Sequence, residues 1–460
     1  MKKSKISSSF RDPSGFVYHR NNVLYRQINF VYKNNFDLLI SSGLFKKLQK
    51  EKLLISHSEV DLKYAHDINA YKVIKPELVS FISYPYSWSF SMLKDAALLT
   101  LRIQKIALEY GMGLKDASAF NIQFVEGNPI FIDTLSFEKY EDGSPWVAYR
   151  QFCQHFLAPL SLMAYTDIRL NQLLKIYIDG ISLDLASKLL PKKTYLNFSM
   201  LSHIHVHSRS QNKWADKQVS IKEQKIKIPK LQLSALIDNL YSSVGNLELK
   251  KTKTEWGDYY NFTNYDTEAF KDKGGIVKKM IKMSKPKTVW DLGANDGYFS
   301  RIAADYGSET VAFDIDPIAV EKNYLRIKKN NEKNILPILL DLTNPTSSYG
   351  WANEERDSLV KRGPADVVMA LALIHHLAIG NNLPFYKIAE FLSKICGYLI
   401  IEFVPKKDSQ IKKLLASRED IFPDYTQENF EKIFNKYYKF ICKNKVKNSL
   451  RTIYLYKKNR

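Results

Sequence analysis

Three acidic residues sit where a chain can grip a small polar ligand. In "KTVWDLGANDGYFSRIAADYGSETVAFDID" (residues 287–316), Asp291 ends one apolar run and Asp314 ends the next. The turn Gly293-Ala-Asn295-Asp-Gly297 lies between them, and Asp341 closes a third run, "NILPILLD". A carboxylate at a strand end can meet a cationic amino group or accept both hydroxyls of a ribose. Glycine lets the backbone turn sharply, and asparagine tolerates a left-handed conformation at a turn. If the runs are parallel strands, all three acids face one crevice at the strand carboxyl ends. Taken singly, each acid has a plainer reading as a helix cap or turn residue; for Asp341 that reading stands level with the ligand role.

The spacing discriminates among nucleotide-like ligands. A dinucleotide site wants Gly-x-Gly-x-x-Gly, because the pyrophosphate must come close to the backbone. Here Asn295 stands where the middle glycine would be, and no Gly-Lys-Ser/Thr follows to cradle a triphosphate. S-adenosylmethionine (SAM) carries no phosphate and needs acids for its ammonium and ribose hydroxyls. The candidate cofactor residues are therefore Asp291 for the amino-acid end, directly or through water, Gly293, Asn295 and Gly297 for the turn, Asp314 for the ribose, and Asp341 near the adenine.

These residues need a scaffold. From Lys287 onward strands are expected at 287–292, 309–314, 335–340, 366–372 and 398–404, with helices between them, which predicts a parallel sheet covered on both faces. The end differs: "YKFICKNKV" and "LRTIYLYKK" read as a closing hairpin. The expected fold class is α/β, a C-terminal seven-stranded Rossmann-like sheet preceded by an α+β domain. The expected divisions are residues 1–207, a linker and connecting helix over 208–253, and 254–460. The linker rests on the polar, lysine-rich stretch 208–230.

Residues 254–460 resemble the class I SAM-dependent methyltransferases, through the motif Asp291-Leu-Gly293-Ala-Asn295-Asp-Gly297 and the strand-end Asp314. The resemblance implies that "ALALIHHLAIGNN", after the fourth strand, lies beside the transferable methyl. His376 and His375 are then candidates for a base toward a hydroxyl acceptor; the alternative is that one of them packs against cofactor or backbone. Glu402 ends the fifth strand as another acid at the mouth. The aromatic "WGDYYNFTNY" (256–265) either covers the cofactor or is a packing cluster.

The first half carries a second constellation in "LKDASAFNIQFVEGNPIFID": Asp116, then Asn121 five residues on, then Asp133 at the end of an apolar strand. This order is similar to that of protein kinases and aminoglycoside phosphotransferases. The resemblance implies Asp116 as the catalytic aspartate, Asn121 and Asp133 as magnesium ligands, and magnesium–ATP as a second cofactor. It further implies a strand-rich small lobe, built from "GFVYHR", "VLYRQINFVY" and "VSFISYPYSW" around one helical stretch, before a helical large lobe. There are departures. Leu114 stands where a histidine is expected, no glycine-rich loop is visible, and Lys72 or Lys75 would have to serve as the small-lobe lysine. "HIHVH" (His203, His205, His207) would face one side of a strand, where metal binding competes with ordinary burial.

Over nearly its full length the chain looks like a bacterial family related to the host-specific nodulation proteins of rhizobia, through "YPYSWSFSMLKDAALLTL", "LKDASAFNIQF", "WVAYRQFCQHFLAPL" and "ALALIHHLAIGNN". That resemblance implies a saccharide, polysaccharide or glycolipid acceptor. The expected activity is methyl transfer to a hydroxyl, with a bifunctional kinase-methyltransferase as the alternative and an RNA or protein methyltransferase behind it. Lys+Arg exceed Asp+Glu to give a net charge of +20; the plainer reading is a lysine-rich composition spread over solvated faces, and the other is contact with an anionic carrier or membrane surface. Nucleic acid is not the expected partner, because the lysines are scattered rather than gathered with stacking aromatics. Three cysteines without a CxxC, no apolar core behind the N-terminal lysines and no long apolar run suit a cytoplasmic protein.

Overall fold

Short β-prone runs separated by turn residues build the first sheet. In the computed structural model, which describes residues 3–208, 227–250, 267–416 and 419–459, the chain divides into two units. Unit 1 is Met1–Thr252 with Gly350–Arg356; unit 2 is Lys253–Tyr349 with Asp357–Arg460. In unit 1, β1 (Lys3–Lys5), β2 (Gly15–Arg20), β3 (Val23–Asn29), β4 (His57–Val60) and β5 (Ala70–Pro76) form an antiparallel sheet in the order β1-β2-β3-β5-β4. Asn21 and Asn22 join β2 to β3, both with positive φ (51° and 63°), the conformation a tight hairpin needs. Two helices, Lys33–Ser41 and Leu44–Lys50, stand between β3 and β4 in chain order, where one helical stretch is expected.

The segment "VSFISYPYSW", expected as a strand, is a loop with a single 3-10 turn at Pro85–Ser87. It is held by side chains instead of a ladder: Trp88 Nε1 donates to Ser83 Oγ (2.9 Å), and Ser83 N donates to Gln123 Oε1 (2.8 Å). The Ser89 hydroxyl then caps the long helix Phe90–Glu109 by accepting the Met92 N–H, a preferred N-cap arrangement. Beyond it come β6 (Met112–Leu114), β7 (Ile122–Val125), β8 (Asn128–Phe131) and β9 (Phe137–Lys139), pairing β7 with β8 and β6 with β9. The helix Lys230–Gly245 belongs to unit 1: Lys105 Nζ meets Asp238 at 2.7 Å, and Lys94 Nζ donates to the Gly245 and Leu247 carbonyls at 2.7 and 2.8 Å. Most of the expected linker, and all of 256–265, lie outside the described residues.

"HIHVH" is not a strand. It lies in a π-helical turn, Leu201–Val206, so the three imidazoles do not share one face. His203 bonds to Tyr149 Oη (2.6 Å) and Asn239 Oδ1 (2.7 Å). His205 bonds to Ser187 and Thr194 hydroxyls (2.8 and 2.9 Å) and stacks on Tyr195. The ring nitrogens of His203 and His205 are spent on protein partners, and among the described residues no His, Cys, Asp or Glu group is placed to hold a metal, so the metal reading is withdrawn.

In unit 2, β10 (Thr288–Leu292), β11 (Glu309–Asp314), β12 (Ile335–Leu339), β13 (Ala365–Ala370), β14 (Cys396–Phe403), β15 (Tyr438–Lys445) and β16 (Thr452–Lys458) form one sheet in the order β12-β11-β10-β13-β14-β16-β15. The first five strands are parallel, and β16 runs antiparallel to both neighbours. This is the class I methyltransferase architecture expected from the alternation and the closing hairpin. Val289, Val367, Met369 and Ile400 are among the residues buried on one face with the helix Thr267–Ser284. Burial on both faces is why these strands read as continuous apolar runs. Among the described residues no helix is long and apolar enough to cross a membrane.

Candidate functional site

The chain runs from β10 through β11 to β12 on one side, then returns to β13 on the other side of β10. That reversal opens a crevice at the strand carboxyl ends between β10 and β13, the place where such sheets bind ligands. Asp291 lies there, 2% exposed, its Oδ2 accepting from Ser300 Oγ at 2.7 Å. Burial pushes its carboxyl up to about 7, against the opposing pull of Ser300 and Lys273. Asp314 ends β11 and holds the turn: its Oδ2 accepts from Asn295 N (2.7 Å) and its Oδ1 from Asp316 N (2.8 Å). Burial raises it to about 6.

The turn itself is left-handed at Gly293 (φ 76°), Asn295 (φ 51°) and Gly297 (φ 82°). At Gly297 a Cβ would lie 2.6 Å from Arg301 Nη1 and from Asn323 Nδ2, so both conformation and space require glycine. Asp341 bonds locally instead. Its Oδ1 accepts from Thr343 N (2.8 Å) and Thr343 Oγ1 (2.7 Å), the turn role that its sequence position allowed.

On the far side of the crevice, Ala372 takes a left-handed φ of 50°, and its N–H donates to Glu402 Oε2 at 2.7 Å. The same carboxylate receives Lys273 Nζ at 2.6 Å, with side-chain exposures of 3% and 0%. Arg451, also buried, binds Asp408 through Nε (2.8 Å) and Nη2 (3.1 Å). Glu402 is therefore a buried anchor for the segment leading to His375 and His376. Burial, then Arg451, pushes His376 down to about 4. Burial, reinforced by His376 and Arg451, holds His375 well below its ordinary value. Both imidazoles are neutral at pH 7. A mainly apolar cavity of about 190 Å³ adjoins the crevice, lined by Leu292, Leu342, Ala370, Leu373, Leu377 and Ile388 among others.

In unit 1 the structure does gather Asp116, Asn121 and Asp133. Asn121 Nδ2 donates to Ser136 Oγ (3.3 Å), whose hydroxyl in turn donates to Asp133 Oδ2. Asp116 Oδ1 accepts from Ser118 N (2.9 Å) and Gln151 Nε2 (2.8 Å), and burial raises its carboxyl. Asp133, however, is ion-paired with Arg26 of β3 and accepts the Leu135 N–H at 3.0 Å. Burial opposes its ionisation, but Arg26, Ser136 and Leu135 outweigh that and keep the carboxyl below its ordinary value. A guanidinium thus occupies the coordination that a magnesium ion would need, and this arrangement does not fit the metal. Among the described residues no group of three or more His, Cys, Asp or Glu side chains is placed to hold one. Lys72 is no small-lobe lysine, since it sits at the surface of β5 against Glu59; Lys75 is exposed.

Comparison with known proteins places the chain. It is 33% identical over 461 residues to nodulation protein NoeA of Rhizobium meliloti (strain 1021), spanning 99% of this chain and 96% of that relative. The chain belongs to the NoeA family of nodulation proteins. No protein-family model matches it. Solved structures resembling parts of it include the N-methyltransferase NodS from Bradyrhizobium japonicum WM9, 10% identical, covering 42% of this chain and 99% of that one at a TM-score of 0.32. Another is the bifunctional kinase-methyltransferase WbdD, 16% identical, covering 46% of this chain and 45% of that one at a TM-score of 0.30. No weight rests on likenesses of that size; the fold is read from the strand order.

For this NoeA-family chain, sequence reasoning missed Lys273, Arg451 and Arg26. Lys273 lies in the amphipathic helix Thr267–Ser284, where a lysine is ordinarily solvated. Nothing in local sequence distinguishes it from its exposed neighbours. Arg26 alternates within a strand whose neighbours Tyr25 and Gln27 are buried, so pattern alone gave no reason to place a cation on Asp133.

Proposed function

We propose that unit 2 binds SAM and directs its methyl group to a hydroxyl of a saccharide, polysaccharide or glycolipid precursor. The observation that carries this reading is the pair of buried carboxylates, Asp291 and Asp314, flanking a left-handed glycine turn at the sheet's reversal point. The residues fit the cofactor. Lys273 is spent on Glu402, so among the described residues Asp291 has no salt bridge of its own and is suited to the ligand's ammonium. The Asp314 oxygens are fixed by backbone N–H groups and retain acceptor capacity for two ribose hydroxyls. Two acids at this spot also repel phosphate. The apolar cavity beside Leu292 and Leu342 would take the base.

When bound, SAM supplies a methyl group on an electrophilic sulfonium. The chain's own contribution is chiefly placement, which by itself can remove a large part of a displacement barrier. His375 and His376 are neutral and can accept a hydrogen bond from an acceptor hydroxyl. With His376 held at about 4, protonating it at pH 7 costs about 4 kcal/mol, so a full general-base role is disfavoured. The saccharide class follows from the family resemblance, and the net charge of +20 suits an anionic carrier.

Calorimetric titration with SAM tests the cofactor. Wild-type protein is expected to bind, and Asp314→Ala to lose about 100-fold in affinity through two charge-assisted hydrogen bonds. Well-folded wild-type protein that gives no SAM heat would falsify the reading. Transfer of labelled methyl to envelope saccharides, lost in the same variant, tests the acceptor.

A further inference from the structure

Arg356 is a partly buried cation with no salt-bridge partner among the described residues. It reaches unit 1 from the segment between β12 and β13 in chain order, and its guanidinium carbon lies 4.2 Å from the centre of the Phe120 ring. Its one hydrogen bond among the described residues runs from Nη1 to the neighbouring Glu355 carbonyl (3.0 Å), and its buried Nε has no partner. The carboxylate beside it is committed elsewhere: Glu355 is held by Arg11 at 2.6 and 2.8 Å. The other ionisable groups facing Arg356 are the Tyr84 and Tyr86 phenols, with Arg11 adding a second positive charge; burial is what chiefly disfavours its charged form.

A second orphan packs on the same ring. His155, 2% exposed, sits edge-on to Phe120 with ring centres 6.1 Å apart. It hydrogen-bonds to the Asp179 backbone, and its Nδ1 has no partner among the described residues. Burial, then the charge of Arg356, pushes it down to about 4, so it is neutral. A neutral imidazole that donates through one nitrogen presents a bare acceptor on the other. One aromatic ring thus has beside it a guanidinium and an imidazole nitrogen that are both unpaired among the described residues, with Tyr84 adding apolar surface at 6.1 Å from Phe120.

We propose that this is a binding site for an acidic saccharide. Arg356 takes its phosphate or carboxylate group through the forked donor geometry that suits either. His155 Nδ1 accepts one of its hydroxyls, and the rings of Phe120 and Tyr84 back the sugar. The guanidinium itself supplies the positive charge, so the site works without a divalent cation. It lies in unit 1 and stands independently of SAM binding in unit 2.

The test is calorimetry on the full chain with glucose 1-phosphate, glucuronate, inorganic phosphate and glucose as probes, each with and without EDTA. The acidic sugars are expected to bind, EDTA to change nothing, and Arg356→Gln to weaken binding tenfold or more. Glucose is expected to bind at least tenfold more weakly. The tighter of glucose 1-phosphate and glucuronate identifies the oxyanion, and inorganic phosphate is expected to be weaker than glucose 1-phosphate because it lacks the sugar. Asp314→Ala is expected to leave these affinities unchanged, which separates this site from the SAM site. A thermal melt checks each variant. If Arg356→Gln does not fold, Arg356→Lys is used, where the single ammonium is expected to bind both acidic sugars several-fold more weakly. Silence from wild-type protein, equal affinity for glucose, binding that requires magnesium, or acidic-sugar affinity unchanged in the folded Arg356 variant each overturns the proposal.

Discussion

Raising the pH from 6 to 7.5 is expected to tighten SAM binding about tenfold. In the ligand-free protein burial holds Asp291 near 7 and Asp314 near 6. At pH 6 roughly one Asp291 in ten and half of Asp314 are ionised; at pH 7.5 roughly three quarters and nearly all are. If both carboxylates must be charged to receive the ligand, the population ready to bind rises about 15-fold. Partial loss of the ligand's own ammonium charge near pH 7.5 trims this to about tenfold. The sign follows from the raised carboxyl values: a cation selects the ionised acids, so binding releases protons, about one and a half of them at pH 6. Calorimetry in two buffers of different protonation enthalpy reads the proton count and the affinity together. Asp291→Asn removes the larger titration and is expected to flatten most of the dependence. An affinity that stays level or falls between pH 6 and 7.5 refutes the argument that these two buried acids form the cofactor's polar contacts.

The buried ion pairs give two further expectations. Lys273→Met takes the nearest cation from the buried Glu402, leaving Arg451 Nη1 at 3.9 Å, and is expected to cost about 3 kcal/mol in urea denaturation. Lys273→Met/Glu402→Gln should recover part of that loss, while a single-variant cost below about 1 kcal/mol would show that the pair anchors nothing. Arg26→Met is expected to destabilise unit 1 by a similar amount, with Asp133→Asn partly compensating. Titration of wild-type protein with ATP is expected to show no magnesium-dependent heat, because Arg26 holds the Asp133 carboxylate; a magnesium-dependent signal lost in Asp133→Asn would reverse that reading.

Local sequence already determined much of unit 2. Apolar runs ending in Asp291 and Asp314, separated by amphipathic stretches, carry their own period and punctuation, so the strands at 288–292 and 309–314 were legible. The left-handed turn was legible too, since glycine and asparagine are the residues that tolerate it. Where the signal was weaker, tertiary structure decided. "VSFISYPYSW" has the aromatic and β-branched content of a strand, yet Pro85 and the side-chain bonds of Ser83, Trp88 and Gln123 made it a loop. "HIHVH" alternates like a strand, but its imidazoles found partners in Tyr149, Asn239, Ser187 and Thr194 on a helical turn. Alternation of three residues is too short a pattern to outweigh that.

The division of labour has a physical cause. Strand ends, turns and caps are set by residues within a few positions of one another, and that information lies along the chain. Charge pairing is set by neighbours in space: Lys273 and Glu402 are brought together across more than a hundred residues, as are Arg26 and Asp133. The sequence by itself determined that acids would line a crevice in unit 2 and that Asp116, Asn121 and Asp133 form a polar cluster. Only the tertiary structure decided which acids are paired with a buried cation, as Glu402 and Asp133 are, and which are held by hydroxyl and N–H donors, as Asp291 and Asp314 are.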